Sequence, residues 1–195
     1  MKAQVRIVGG LMRGRKLTCN VTPELRPTPD MVREALFNIL GNAVPERIFV
    51  DVFAGTGVVG MEAIGRGAKQ AIFVERDVRI AGEIERHLKT FKVDRQARIY
   101  RTDVYRWVSH WQPPSEPVNV FFSPPFADLD ERTDDLLRTI GDLQTRTAPD
   151  SVIILQAERG SAVEELPIFN DWDKRRYSRN VLYFWQKELA PVAES

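Results

Sequence analysis

Apolar, strand-like segments alternate with amphipathic, helix-like segments over most of this 195-residue chain. The first apolar run, Ile48–Ala54, ends at a glycine turn, and the fifth is Val152–Ala157. Between them, the longest amphipathic segments are Asp77–Phe91 and Asp130–Leu143. This alternation predicts a doubly wound α/β fold, in which helices cover both faces of a mostly parallel sheet. Ligands of such sheets bind beyond the carboxyl ends of the strands, so informative residues are expected directly after strands.

Both ends of the chain depart from this alternation. Asp173–Ser178 and Val181–Lys187 predict a hairpin with a tight turn at Arg179–Asn180, which completes a seven-stranded sheet with an antiparallel end. At the other end, Val5–Leu17 alternates apolar and basic residues around glycines and predicts a short hairpin or extended arm. We therefore expect residues 1–45 to form an arm and a helix that pack on a core domain of residues 46–190.

The helix that follows the arm has a recognisable start. Thr28 is a favourable N-cap, and Pro29 suits the first helical position. The apolar residues expected on its buried face are Val32, Leu36, Ile39 and Leu40.

Composition excludes several classes of protein. The chain is 43% hydrophobic and 28% charged with a net charge of +1, as in ordinary globular proteins. It has neither a secretory signal nor an apolar run long enough to span a bilayer, so no membrane contact and a cytoplasmic location are expected. Its single cysteine, Cys19, fits a reducing compartment, and two distant histidines predict no metal site. We expect a monomer.

Positive charge is concentrated at the N-terminus. Met1–Asn20 contains no acidic residue and five basic ones, which are Lys2, Arg6, Arg13, Arg15 and Lys16. Such a segment can bind a nucleic-acid backbone through charge, without reading sequence. A solvated basic arm is the alternative.

The turn after the first strand indicates a bound cofactor. Gly55, Gly57 and Gly60 have the spacing G-x-G-x-x-G, which lets the backbone turn sharply and lets a ligand lie against the main chain. This spacing fits a nicotinamide dinucleotide as well as S-adenosylmethionine. The candidate cofactor-binding residues here are Phe53, Ala54, Gly55, Thr56 and Gly57.

Asp51 helps to distinguish these cofactors. Its carboxylate would be repelled by a pyrophosphate but attracted by the ammonium of a methionine moiety. The structural alternative is a buried acid that is hydrogen-bonded to the loop backbone, and the two roles are compatible.

Acids also end the next two strands. Glu75 lies about 20 residues beyond the glycine turn, where a carboxylate can accept hydrogen bonds from two ribose hydroxyls. Asp103 can accept from an adenine amino group or cap the following helix. The neighbouring residues Arg76 and Val104 are included as cofactor candidates.

The motif that decides the predicted chemistry follows the fourth strand and reads Ser123-Pro124-Pro125-Phe126. The prolines fix the backbone, so that the Ser123 oxygen and the Pro124 carbonyl can bind the hydrogens of one amino group. The nitrogen lone pair would then face a methyl donor, and Phe126 would stack on a flipped base. A proline-stiffened loop with a core phenylalanine is the alternative.

These motifs together resemble the S-adenosylmethionine-dependent amino-methyltransferases. More narrowly, Arg6–Gly10, Arg13–Leu17, Leu25–Leu40, Gly60–Ala63 and Arg66–Ala68 are similar to the bacterial family of 16S ribosomal RNA guanine-N2 methyltransferases. The resemblance runs from Arg6 to about Glu188. It implies a class I, Rossmann-like methyltransferase fold for residues 46–190, S-adenosylmethionine as cofactor, and 16S ribosomal RNA or a small-subunit assembly intermediate as partner. It also implies phosphate-binding or site-closing roles for Arg26 and Arg33.

One residue departs from that family, which usually carries Asp where this chain has Ser123. A neutral hydroxyl loses a charge-assisted hydrogen bond to the target amino group. Two alternatives therefore stay open beside guanine-N2 transfer: another nucleic-acid amino-methyltransferase, such as an adenine-N6 enzyme, or an RNA-binding protein with a decayed active site. A nicotinamide oxidoreductase fits the glycines but not the proline motif.

Overall fold

The structure is a computed structural model that describes residues 2–22 and 25–189. Its strands are β1 (Lys2–Arg6), β2 (Lys16–Asn20), β3 (Ile48–Asp51), β4 (Gln70–Val74), β5 (Ala97–Tyr100), β6 (Val118–Phe122), β7 (Val152–Glu158), β8 (Asp173–Tyr177) and β9 (Asn180–Gln186). Its α-helices are α1 (Asp30–Leu40), α2 (Val58–Gly65), α3 (Val78–Phe91), α4 (Val104–His110), α5 (Phe126–Glu131) and α6 (Thr133–Arg146).

The main sheet has seven strands in the order β5-β4-β3-β6-β7-β9-β8. The five strands from β5 to β7 are parallel, whereas β9 runs antiparallel to both β7 and β8. The predicted fold class is therefore confirmed. The chain winds outward from β3 to β5 and then returns to β6 beside β3, which creates a switch point. A crevice is expected above the carboxyl ends of β3 and β6.

The centre of the sheet is buried on both faces. Every residue of β6, the strand at the switch point, is buried, as a strand covered by helices on two sides requires. One core cluster joins the sheet to the arm, α1, α2 and α3, and a second joins it to α4, α6 and the β8–β9 hairpin. The strand ends are held in place by these two layers.

The N-terminal arm shares the first of these clusters. β1 and β2 pair antiparallel, and Val5, Leu17 and Cys19 are buried against residues of the sheet and α2. We propose on this basis that residues 1–45 fold together with residues 46–190 around a common core.

Several sequence-based boundaries are wrong. Helix α1 begins at Asp30 with Pro29 at the N-cap, while the Thr28 hydroxyl donates to the side chain of Gln156 instead. Ile39 is 40% exposed, because it lies off the buried stripe of α1. The segment expected as one helix from Asp130 is broken at Arg132 into α5 and α6. The C-terminal hairpin turns one residue earlier than predicted, at Ser178 and Arg179.

A buried ionic network joins the arm to the sheet layer. Arg33 has no exposed surface, and its Nε donates to Glu62 Oε2 at 3.2 Å. The same guanidinium donates to Asp30 Oδ1 at 2.9 Å and to the backbone carbonyls of Thr28 and Arg6. The predicted role of Arg33 in binding RNA phosphates is therefore wrong, since its side chain has no exposed surface and each of its three nitrogens donates to a protein group.

We expect Arg33→Met to lower the free energy of unfolding by about 3–5 kcal/mol, because it removes donors from a buried carboxylate and several carbonyls. Urea denaturation measures this change. Lys89→Met, which breaks the exposed Lys89–Glu85 pair, is the matched control and should leave stability unchanged. Equal midpoints for the two variants would contradict a structural role for the buried network.

Candidate active site

A cavity of about 740 Å³ opens at the carboxyl ends of β3, β4 and β6, where the switch point predicts a ligand. It is lined by residues that the sequence nominated: Arg26, Asp51, Phe53, Ala54, Gly55, Thr56, Glu75, Arg76, Asp103, Val104, Ser123, Pro124 and Pro125. The structure thus brings together candidates that are separated by up to one hundred residues in sequence.

The glycine turn between β3 and α2 forms one wall of this cavity. Gly55 and Gly57 have φ angles of 51° and 73°, which residues other than glycine rarely adopt. A Cβ at Gly57 would also lie 2.9 Å from Ile84 Cγ1 of α3. Gly57 does not line the cavity, so its observed contribution is to shape the turn.

Asp51, the last residue of β3, is hydrogen-bonded to the helix that follows this turn. It is almost fully buried, and its Oδ2 accepts a hydrogen bond from the Gly60 amide at 3.1 Å. Burial raises the pKa of Asp51 to about 8, against the lowering effect of that hydrogen bond. The expected hydrogen-bonded acid is therefore observed, and its contact with a ligand ammonium stays a prediction.

Glu75 connects the ends of β3 and β4. Its Oε2 accepts from the Gly55 amide at 2.9 Å, and its Oε1 accepts from the Asp77 amide at 2.8 Å. Burial raises the pKa of Glu75, while these two hydrogen bonds oppose the shift. The carboxylate is thus fixed in the cavity wall by backbone donors, with acceptor capacity left for a ligand.

Asp103 has the helix-capping role that was one of its two predicted functions. Its Oδ1 accepts from the Arg106 amide at 3.2 Å, and its Oδ2 pairs with Arg132 Nη1 at 3.1 Å. It also lines the cavity, which leaves the adenine contact open as a prediction.

The proline motif lies at the end of β6. Ser123 is partly exposed in the cavity and Pro124 is buried. The Pro125 carbonyl accepts from the Asp128 amide at 3.0 Å at the start of α5, which leaves the Pro124 carbonyl as the candidate acceptor for a ligand. Phe126 begins α5, and its side chain lies outside the described part of the structure.

A polar cluster that no sequence motif predicts lies beside these residues. The Tyr105 hydroxyl donates to the buried Asp128 Oδ2 at 2.9 Å, and the Arg132 guanidinium lies 4.0 Å from the centre of the Tyr105 ring. Burial, followed by the hydrogen bond to Asp128, raises the pKa of Tyr105. No periodicity links residues that are 23 positions apart on two helices.

Comparison with known proteins decides the family. A family model described as conserved hypothetical protein 95 matches residues 5–186. Ribosomal RNA small subunit methyltransferase D of Escherichia coli K12 is 33% identical over 187 residues, which cover 95% of this chain and 91% of that protein. The chain belongs to this methyltransferase family. The predicted family is therefore confirmed. The cofactor of this class of methyltransferases is S-adenosylmethionine, as predicted.

Solved structures agree with the fold of a methyltransferase D family member. A structure from E. coli, described as the putative methyltransferase yhhF, has a TM-score of 0.75 and 30% identity, covering 95% of this chain and 99% of that one. A T. thermophilus 16S rRNA N2 G1207 methyltransferase, solved with AdoMet and guanosine, has a TM-score of 0.73 at 20% identity. It covers 96% of this chain and 50% of that one, and the likeness concerns the fold alone.

The part of the basic arm around Arg13 and Arg15 packs against the C-terminal ends of α2 and α3. The Leu11 amide donates to the carbonyl of Gly65 at the end of α2, and Arg15 Nη1 donates to the carbonyl of Phe91 at the end of α3. Helices of a parallel α/β sheet end at the amino edge of the strands, opposite the ligand-binding edge. This part of the arm therefore lies at the edge of the sheet opposite the cavity, and RNA binding by Arg13, Arg15 and Lys16 stays a prediction. In the part of the chain that the structure describes, no helix is long and apolar enough to cross a membrane.

The raised pKa of Asp51 yields a prediction for cofactor binding. At pH 7 the carboxyl is mostly protonated, and a cation placed beside it would lower its pKa and release the proton. Wild type should therefore release more protons on binding S-adenosylmethionine than Asp51→Asn does, and its affinity should rise as the pH approaches 8. Calorimetry in buffers of different ionisation enthalpy measures both. Equal proton release by two proteins that both bind would place the ammonium elsewhere.

Proposed function

We propose that this protein transfers a methyl group from S-adenosylmethionine to the exocyclic N2 amino group of a guanine in 16S ribosomal RNA. The observation that carries the proposal is that Ser123 and Pro124 line the same cavity as Glu75 and the glycine turn. One cavity thus offers a wall for a nucleoside cofactor and a pair of acceptors for an amino group.

The residues of the cofactor wall fit S-adenosylmethionine. Burial disfavours the charged form of Asp51, and a neighbouring ammonium group would stabilise that charged form. Glu75 would accept from the ribose hydroxyls through lone pairs that the Gly55 and Asp77 amides leave free. When bound, the cofactor supplies a methyl group on a positively charged sulfur.

On the opposite side, this chain would orient the acceptor. Ser123 Oγ and the Pro124 carbonyl would accept the two amino hydrogens, which turns the nitrogen lone pair toward the methyl carbon. The new nitrogen–carbon bond forms as the carbon–sulfur bond breaks, S-adenosylhomocysteine leaves, and the nitrogen then loses one proton to solvent. Phe126 is proposed to stack on the flipped base. The rate would come mainly from positioning and water exclusion, since no strong base is needed.

The partner is proposed to be 16S ribosomal RNA, free or in a small-subunit assembly intermediate, because the chain covers 91% of a relative named ribosomal RNA small subunit methyltransferase D. We propose that the protein acts as a monomer in the cytoplasm. The specificity for guanine N2 rests on the family resemblance together with the proline motif.

The direct test is methyl transfer in vitro. Incubation with labelled S-adenosylmethionine and unmodified 16S RNA should yield N2-methylguanosine on nucleoside mass spectrometry. Glu75→Ala should bind the cofactor more weakly by on the order of 2 kcal/mol, because charge-assisted hydrogen bonds are lost. Glu85→Ala, an exposed acid on α3, is the control. Transfer to adenine would favour the adenine-N6 alternative, and cofactor binding without transfer would favour the decayed enzyme.

Ser123 gives a second prediction. Ser123→Asp restores a charged acceptor and should raise the rate of methyl transfer about tenfold, a change on the order of 1–2 kcal/mol in barrier height. Ser109→Asp adds the same charge at an exposed position of α4 and should leave the rate unchanged. Single-turnover kinetics measure the chemical step. A lower rate for Ser123→Asp at unchanged cofactor affinity would show that the hydroxyl is required as it stands.

A further inference from the structure

Two chain segments line the cavity beside the motifs described above. One is residues 25–29, which precede α1, and the other is the tip of the β8–β9 hairpin. Gln156, at the end of β7, joins them: its Oε1 accepts from the Thr28 hydroxyl at 3.0 Å and its Nε2 donates to Asn180 Oδ1 at 3.0 Å. A hydrogen-bonded chain therefore fixes the spacing of these segments across the cavity mouth.

Each segment carries an exposed arginine at the mouth. Arg26 and Arg179 line the cavity, and Arg159 lies beside Arg179, to whose carbonyl its amide donates at 2.8 Å. Within residues 2–22 and 25–189, no carboxylate pairs with the side chains of these three arginines. The neighbouring Arg175 and Arg176 differ, since they pair with Asp173 and Glu164.

Unpaired guanidinium groups at a cavity mouth are suited to bind an anion of fixed geometry. Arginine presents planar, bidentate donors that match phosphate oxygens, and it keeps its charge at any physiological pH. Two such groups line a cavity that is proposed to take a base, and the third is next to one of them, so together they would meet the backbone that flanks that base. Contacts of this kind position the strand, while the cavity itself selects the base.

We propose that Arg26, Arg159 and Arg179, here called the basic rim, bind backbone phosphates of the RNA strand that flank the target nucleotide. The inference rests on the proposed function, because it takes the cavity as the site that the base enters. It places the main phosphate contact at the edge of the sheet that carries the cavity, whereas the sequence analysis predicted it in the N-terminal arm.

The position of the arm supports this choice. Arg13, Arg15 and Lys16 lie near the C-terminal ends of α2 and α3, whereas the cavity lies at the N-terminal ends of these helices. An eight-residue helix such as α2 is about 12 Å long, so its two ends are separated by about that distance. Arg15 also uses one donor on the Phe91 carbonyl.

Three charge-matched triple variants of the full-length protein test the proposal. The rim variant carries Arg26→Gln, Arg159→Gln and Arg179→Gln, and the arm variant carries Arg13→Gln, Arg15→Gln and Lys16→Gln. The control variant changes the exposed residues Lys92, Arg95 and Arg98 to glutamine on the α3–β5 side. Each triple changes the net charge from +1 to −2, so any difference reports position rather than total charge.

The measurement is the salt dependence of binding to a fluorescein-labelled, single-stranded RNA of mixed sequence. We expect the rim variant to lower the slope of log affinity against log salt by about two units, at roughly 0.7 per phosphate contact. The arm and control variants should each lower this slope by less than about 0.7, the contribution of one phosphate contact. An unchanged slope for the rim variant, or an equal loss in the arm variant, would overturn the proposal.

Two further readouts separate this proposal from the proposed function. Calorimetry with S-adenosylmethionine should give the same affinity for the rim variant as for wild type, which shows that the cavity is intact. If wild type methylates 16S RNA and the rim variant keeps its salt slope, only the basic rim is wrong. If the rim variant lowers the salt slope while wild type transfers no methyl group, the RNA-binding role of the basic rim is supported and the proposed enzymatic function is wrong.

Discussion

The buried contact between Arg33 and Glu62 is the interaction on which the arrangement of this molecule depends. Removing two charges from water is costly, and the cost is offset only where all hydrogen-bonding groups find partners. Here the guanidinium binds Glu62, Asp30 and two carbonyls, and Glu62 also accepts from Arg66 Nη2 at 2.9 Å. The network can be complete only when the arm, α1 and α2 take one relative position, so it specifies the geometry as well as contributing to stability.

That position has consequences for the cavity. Helix α2 begins directly after the glycine turn, and residues 25–29, which lead into α1, form part of the cavity mouth. The network lies in the first turn of α1 and in the middle of α2, so it fixes the position of the glycine turn that precedes α2 and of the segment that carries Arg26. The wall also includes Glu75, which accepts a hydrogen bond from the Gly55 amide of the turn, and Asp51, which accepts one from the Gly60 amide in α2.

Much of the fold and part of the site follow from local sequence. The apolar run Val152–Ala157 predicts β7 to within one residue, because a strand inside a sheet that is covered on both faces is mostly apolar. The sequence also predicts that Asp51, Gly55, Glu75 and Ser123 lie together, because the ends of parallel strands meet at one edge of the sheet, and all four line the cavity. The family resemblance pointed to Arg33, but neither it nor local pattern revealed its burial, since that depends on Glu62, which lies 29 residues later on another helix. The Tyr105–Asp128 contact and the break at Arg132 escaped for the same reason.

The central claim is that this protein methylates a guanine N2 in 16S ribosomal RNA. The most direct measurement is nucleoside mass spectrometry of 16S RNA from a strain that lacks the gene, compared with the parent strain and with a strain complemented by the wild-type or the Glu75→Ala gene. We predict that one N2-methylguanosine per 16S RNA disappears on deletion and returns only with the wild-type gene. An unchanged set of modified nucleosides in the deletion strain would contradict the claim.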